Sequence, residues 1–439
     1  MKRSNRILLG AGCFILIIVS WIVAVRAQTG AEKQLQLMAQ AAALIKDEIY
    51  INAVPLLEQA ASYDAEHTHA AEEELKKVYL VLIDQRGYHR RYLNLLEKQM
   101  GRRDVRSEVF AEAASYYLSI SRLQDALLTL RSGIDKTGCD SLIEMYENNR
   151  YEYEISRTVY EYAASIHGGT AQVKIDGLWG LARADGSLMI PCQYDMISTF
   201  SADRAIVMQD SEVFAVNRDN MRVAKLHENA AAFGNLADNR IPVFIDNIWR
   251  RATGDFVLGS AVFEQLGMYS GGYAAAKSDG KWGVIDLETN WLLPPEYDEI
   301  ILDEIGRCYA RGAVFARKGH TVYLYVNGKR TDKAYENAKP FSNEGFAAVK
   351  NNGRWGFIDI NGDLAIDYVF EQALSFGQHL AAVKSGDFWG YVNQFGQIVI
   401  QPVFIEAKSF SNGSAPVLTE RGWQFITLIE YMRGANLSL

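Results

Sequence analysis

Gly345–Gly362 reads GFAAVKNNGRWGFIDING, Leu380–Gly396 reads LAAVKSGDFWGYVNQFG, and Ser414–Leu428 reads SAPVLTERGWQFITL. In each, a short alternating apolar run meets a polar turn and then a tryptophan. Those tryptophans, Trp355, Trp389 and Trp423, stand 34 residues apart. A fixed period with one large aromatic at one phase means that a small supersecondary unit is copied along the chain.

Working outward from these copies, the same unit recurs. Trp179 follows Ala171-QVKIDGL and Trp282 follows Tyr273-AAAKSDGK, while weaker copies place anchors at Phe214, Trp249 and Tyr323. The eight anchors span 244 residues, a mean interval of about 35. Each unit opens with a strand of small and branched residues, such as Phe346-Ala347-Ala348-Val349. A turn of Asp, Asn and Gly follows, as at Asp176-Gly177 or Asn352-Gly353, residues that accept the positive φ of tight hairpins. The second strand starts at the tryptophan, and a third carries Leu188-MIPCQY, Leu292-LPPEYD or Ile398-VIQPVF. The unit reads as a three-stranded meander.

The Trp-Gly pairs have a packing reading. A tryptophan buries on the order of 200 Å², more than one small unit covers alone, so the neighbouring unit must complete the burial. The following glycine lets a ring or backbone approach closely. Trp179, Gly180, Trp249, Trp282, Gly283, Trp355, Gly356, Trp389, Gly390 and Trp423 are therefore expected as structural anchors of the repeat. The alternative is an aromatic shelf for sugar.

Gly-x-Ala-x-Val, Gly-Lys-Trp-Gly-Val-Ile-Asp at 280–286, the Asn-Gly turns and the Pro-Glu-Tyr-Asp ending at 295–298 together resemble the bacterial WG-repeat (KWG-repeat) family. The resemblance runs over roughly 169–432, about 60% of the chain. It is specific at Trp179, Trp282, Trp355 and Trp389, each followed by glycine, and it departs at Phe214-Ala215, Trp249-Arg250, Tyr323-Leu324 and Trp423-Gln424. It implies an interaction role, helical repeats beside the β array, and no catalytic residues.

Before the array, residues 31–168 are rich in Ala, Leu, Glu, Lys and Tyr, with apolar residues at helical spacing. Taking Ala53, Arg91 and Ala126 as equivalent gives intervals of 38 and 35 residues. The pattern resembles tetratricopeptide repeats. Ala53, Leu57 and Ala60 fit it, as do Ala126, Leu130 and Gly133, whereas Arg91 and Lys98 stand where alanine is wanted. Generic helical hairpins are the other reading.

Ile7–Val25 is uncharged and apolar, bounded by Arg6 and Arg26, and long enough to cross a hydrocarbon core. Lys2, Arg3 and Arg6 keep the leading end cytoplasmic, so residues 1–30 read as a tail and signal-anchor helix, with the bulk of the chain outside the cell membrane. A cleaved signal peptide is the alternative.

The composition is globular, with 49% hydrophobic and 22% charged residues. A net charge of −8 and the lack of a basic run argue against nucleic acid. Cys139, Cys192 and Cys308 are scattered, without zinc spacing. None of the sequence signatures of zinc hydrolases, serine hydrolases or nucleotide-binding loops is present. His67 and His69 beside Glu72–Glu74 suggest at most a surface metal site, and Asp359, Asn361 and Asp363 suggest turn chemistry before calcium. No cofactor, metal or catalytic residue is expected.

The expectation is a multi-domain chain: membrane anchor at 1–30, helical tetratricopeptide-like segment at 31–168, and an all-β array of about eight units at 169–439. The array closes as a propeller-like ring, with an open solenoid as the alternative. The expected function is a non-catalytic, extracytoplasmic scaffold for unidentified protein partners. Cell-wall glycan binding is the alternative, and an enzyme with a site invisible in sequence the weaker one.

Overall fold

The computed structural model describes residues 30–201, 203–227 and 230–432. The apolar stretch at 7–25 lies outside the described residues. Among those described, no helix is long and apolar enough to cross a membrane. The chain divides into two compact units, 1–146 and 147–439.

The first unit is helical: α1 (residues 30–46), α2 (Tyr50–Ser62), α3 (Thr68–Val81), α4 (Tyr88–Met100), α5 (Ser107–Ser119), α6 (Leu123–Thr137) and α7 (Asp140–Asn149), the last running past its boundary. Small residues set the close contacts. Ala53, Ala60 and Ala71 are fully buried, and Gly133 lies against Phe110 and Leu142 so tightly that a β-carbon there would overlap both. The middle repeat is displaced by one residue from its expected register. Tyr92, Leu96 and Gln99 occupy the positions of Ala53, Leu57 and Ala60. Arg91 and Lys98 turn outward instead and pair with Glu58 and Glu72 at 3.2 and 3.1 Å.

The second unit is a closed eight-bladed β-propeller. Its blades cover 162–194, 196–227, 232–263, 265–297, 299–335, 337–370, 372–404 and 406–428. Each is a four-stranded antiparallel sheet whose strands we letter a to d outward from the ring interior. The three-stranded meander read from sequence corresponds to b, c and d. Strand a, such as Gln372–Ala373, has only two residues, too few for any alternation to register. This brevity, with two-residue b–c turns, is how about 35 residues suffice for four strands. Asp176-Gly177 and Asn352-Gly353 hold those turns with φ of 50° and 78°, and 50° and 77°.

The last blade lacks a strand d of its own. Tyr153–Ile155 supplies it, pairing antiparallel with Gly422–Leu428. Residues 153–168, grouped with the helices in the sequence reading, thus form strands and connections of the ring. Ser156 N–H donates to the Phe425 carbonyl at 2.7 Å, and Tyr160 and Trp423 exchange backbone hydrogen bonds of 2.9 and 3.0 Å. Closure leaves the first and last blades no open faces, which settles ring against solenoid.

Candidate functional site

The anchors decide how stiffly the ring holds its interior. Trp355 joins Phe357 and Phe370 of its own blade to Ala373, Phe376, Ala381 and Val383 of the next. Trp389 bridges the seventh and eighth blades, and Trp423 bridges the eighth and first through Tyr160, Ala163 and Val173. These three rings are 7%, 7% and 5% exposed. Trp179, Trp249 and Trp282 are half-buried and join clusters of the same kind toward the second, fourth and fifth blades.

Strand register moves two anchors. In the second and fifth blades the tryptophan position is held by Val213 and Val322, one residue before the expected Phe214 and Tyr323. Both valines are fully buried against the following blade. Phe214 and Tyr323 fall on the opposite face and pack toward the preceding blade, because successive side chains alternate across a strand.

The glycines answer to strand d. In the seventh blade Trp389 pairs with Phe404 and Tyr391 with Ile400, so two residues of strand c face four of strand d. The resulting bulge presses the Ile400 carbonyl onto Gly390, where an added β-carbon would lie 2.5 Å away. Gly180, Gly283 and Gly356 meet the equivalent carbonyls of Ile190, Leu293 and Ile366. In the eighth blade Gln424 fills the glycine position and donates its amide to the Ser156 carbonyl at 2.6 Å.

Within this frame the a–b connections converge on a cavity of about 480 Å³. Segments of the first, fifth, sixth, seventh and eighth blades line it, contributing Ser165, His167, Glu304, Lys339, Glu344 and Ser409 among others. The fifth blade departs from its neighbours here. Twelve residues lie between Ile300 and Ala313, where six lie between the equivalent Ala373 and Leu380. The extra six residues form a tight loop around Asp303. Its carboxylate accepts the N–H groups of Ile305 and Arg307 at 3.0 and 2.9 Å and the Arg307 guanidinium at 2.7 Å. Glu304 then reaches the eighth blade, accepting the Ser409 N–H at 3.2 Å. Burial pushes its carboxyl above the ordinary range, against the weaker pull of Ser409, Lys408 and Ser165. Burial, then the Arg307 charge, holds the His167 imidazole below its usual value.

Sequence reasoning missed this loop. Its one visible signal is the longest anchor spacing, from 282 to 323. Other candidates resolve locally. Asp359 Oδ1 accepts the N–H groups of Asn361 and Asp363, closing a c–d turn. His69 Nε2 lies 2.7 Å from the Arg106 guanidinium, and Glu72 is engaged by Lys98, Gln99 and Arg102. Among the described residues, no group of three His, Cys, Asp or Glu side chains is placed to hold a metal ion.

The fold thus defines a β-propeller built from short repeats. The family model described as "WG containing repeat" matches residues 179–212, 260–282, 282–302, 331–355, 355–387 and 389–423, so the C-terminal region carries WG-type repeats. The matches leave out 213–259 and 303–330, where Val213, Arg250, Val322 and the fifth-blade insertion break the pattern. No curated protein matches the sequence. Among solved structures, the chain is similar to the Pan2 WD40 domain of Neurospora crassa, at 10% identity over 53% of this chain and 88% of that one, TM-score 0.32. It is also similar to the Cps50 (Swd1) β-propeller domain of Myceliophteria thermophila, at 8% identity over 63% and 100%, TM-score 0.33. YCF48 from Cyanidioschyzon merolae gives 10% identity over 63% and 98%, TM-score 0.32.

Proposed function

We propose that the protein is a non-catalytic interaction scaffold, tethered to a bacterial cell membrane through residues 7–25 and working outside the cytoplasm. The observation that carries the reading is the closed ring. Its blades are locked by shared aromatic clusters, and connections from five of them converge on one polar cavity. A stiff frame presenting loop side chains at one mouth is the arrangement by which repeat propellers engage proteins. The helical unit adds a tetratricopeptide-like groove of about 310 Å³, lined by Glu58, Tyr79, Arg91, Asn94 and Lys98, for a second partner segment. The tether and its orientation rest on the apolar run and on Lys2, Arg3 and Arg6.

A photoreactive benzoylphenylalanine placed at Asn412, beside the cavity, is expected to capture a protein partner in intact cells. The same group at Asp387, exposed on the b–c turn of the seventh blade at the opposite end of the sheet, is not. Adducts from Asp387 alone would remove the cavity mouth from the reading. Protease added to spheroplasts should digest the chain beyond Arg26, whereas protection would reverse the orientation.

A further inference from the structure

The seam between the third and fourth blades departs from the rest of the ring in three side chains at once. Arg251 stands two residues after the anchor Trp249, where every other blade carries a buried apolar or aromatic residue, such as Leu181, Val284 or Phe357. Tyr269 stands where the second, sixth, seventh and eighth blades carry Phe200, Phe341, Phe376 and Phe410. Arg240 opens strand b, a place held by Ala313 in the fifth blade and Leu380 in the seventh.

Strand register brings the three together. Trp249 pairs with Phe244 and Arg251 with Pro242, so Arg240 and Arg251 share the face that carries Trp249, and that face packs on the fourth blade. The two arginines are diagonal neighbours across the b–c ladder, close enough for side chains of their length to meet at one point. Tyr269 approaches from the fourth blade. It packs in the cluster that includes Trp249, and both guanidinium charges act on its hydroxyl.

At this seam the donors have no acceptor. Arg240 Nε, Arg251 Nε and the fully buried Tyr269 Oη are each shut off from solvent without a hydrogen-bond partner. The other printed bonds of both arginines go to neutral carbonyls: Arg240 donates to Asn239 at 3.0 Å, and Arg251 to Leu287 on the c–d turn of the fourth blade. Arg204, at the position of Arg240 in the second blade, has a carboxylate instead, pairing with Asp255 at 3.2 Å. Two acids of the fourth blade lie within electrostatic range of Tyr269. Of these, Asp286 closes its own turn by accepting the N–H groups of Glu288 and Asn290 at 2.9 and 2.8 Å, and Glu288 is exposed. Burial pushes the Tyr269 phenol up to about 12 against the pull of Arg251 and Arg240, so it keeps its proton to donate.

We propose that the third and fourth blades hold a small anion, of the size of chloride, between Arg240, Arg251 and Tyr269. Three donors without an acceptor call for a group that only accepts. Two guanidiniums without an ion-pair partner call for negative charge; a water would satisfy the donors and leave that charge unbalanced. Donor atoms closed to solvent suit a compact ion and exclude the side chain of a docked protein. The anion thus does at this seam what apolar packing does at the others. The site is separate from the central cavity, whose lining comes from the first and the fifth to eighth blades.

The test is hydrogen exchange by mass spectrometry on the full chain, in sodium chloride and in sodium gluconate at about 0.15 M ionic strength. An ion bound only by the closed seam slows its opening by a factor of one plus the ion concentration over the dissociation constant. Peptides covering 240–253 and 265–273 should therefore exchange about tenfold more slowly in chloride when that ratio is near ten, with seventh-blade peptides unchanged. Tyr269→Phe installs the residue of the regular blades and removes one donor; Arg251→Leu removes one charge. Both should show equal rates in the two salts, and Tyr269→Phe, which loses a single hydroxyl, decides the matter if Arg251→Leu does not fold. Line broadening of the chloride-35 resonance should accompany the wild type and be lost in Tyr269→Phe. Equal rates in both salts for the wild type, slowing spread around the whole ring, or variants that respond as the wild type does would each overturn the proposal. Protection by sulfate but not by chloride would overturn the size assigned to the ion. Neither measurement needs a protein partner, so a failure here leaves the scaffold reading standing, and the converse holds.

Discussion

One backbone carbonyl in each regular blade decides which residue can stand after the tryptophan. At Gly390 the bulged strand d brings the Ile400 oxygen to 2.5 Å from where a β-carbon would sit, and no flexible side chain is there to yield. Gly390→Ala should therefore cost about 1–3 kcal/mol, the usual range for overpacking. Gly280→Ala, in an open hairpin turn with φ of 75° and nothing within 4 Å, should cost only about 1 kcal/mol. Trp355→Ala should exceed both at about 3–5 kcal/mol, because it empties a site shared by two blades. Denaturant unfolding of the three variants checks the order, and an unmoved midpoint for Trp355→Ala would place that ring outside the core. This is also where the sequence is most legible. Trp-Gly serves two neighbours at once, so it recurs at one phase. Val213 and Val322 bury less surface at the same position, and the larger Phe214 and Tyr323 beside them point to the wrong face by one residue.

Among the helices, the informative element is α3 with its buried acid. Burial alone would raise the Glu72 carboxyl. Hydrogen bonds from Arg102 at 2.6 Å and from Gln99 and Lys98 at 3.1 Å outweigh that and hold it below the ordinary carboxylate range. A carboxyl whose folded pKa is depressed stabilises the fold above its unfolded value, and that stability is lost as pH falls through the folded one. Acidification from pH 6 to pH 3 should thus cost the wild-type helical unit more stability than it costs Glu72→Gln, read by far-UV circular dichroism during urea unfolding. A steeper acid loss in Glu72→Gln would contradict the network. The helical period is readable from sequence, but the middle repeat's register is not. Tyr92 and Gln99 are larger and more polar than the alanines they replace, and only their burial identifies them. Strand a is hidden for a different reason, since two residues carry no period. The fifth-blade insertion leaves a trace only as one long interval, and nothing local in Asp303–Cys308 announces that it points into a ring.

At the scale of the molecule, closure is what makes a site. Eight near-identical sheets stack face to face, and the ring is complete only because Tyr153–Ile155 returns to the edge of Gly422–Leu428. That contact joins residues more than 270 positions apart, so no local pattern reveals it. The cavity exists because the ring closes, and the scaffold reading depends on it. The direct measurement is disulfide trapping across the closing pair. Ile155 faces Ile426 between the Ser156–Phe425 hydrogen bond and the Glu154–Thr427 pair, where opposed Cα atoms lie about 4.5 Å apart, a spacing that suits a disulfide. In a chain with Ile155→Cys and Ile426→Cys and its native cysteines replaced by alanine, mild oxidation should give one intramolecular disulfide. The product should run faster on a non-reducing gel and melt at a higher temperature. Two thiols that stay reduced, or that link only between molecules, would contradict a closed eight-bladed ring.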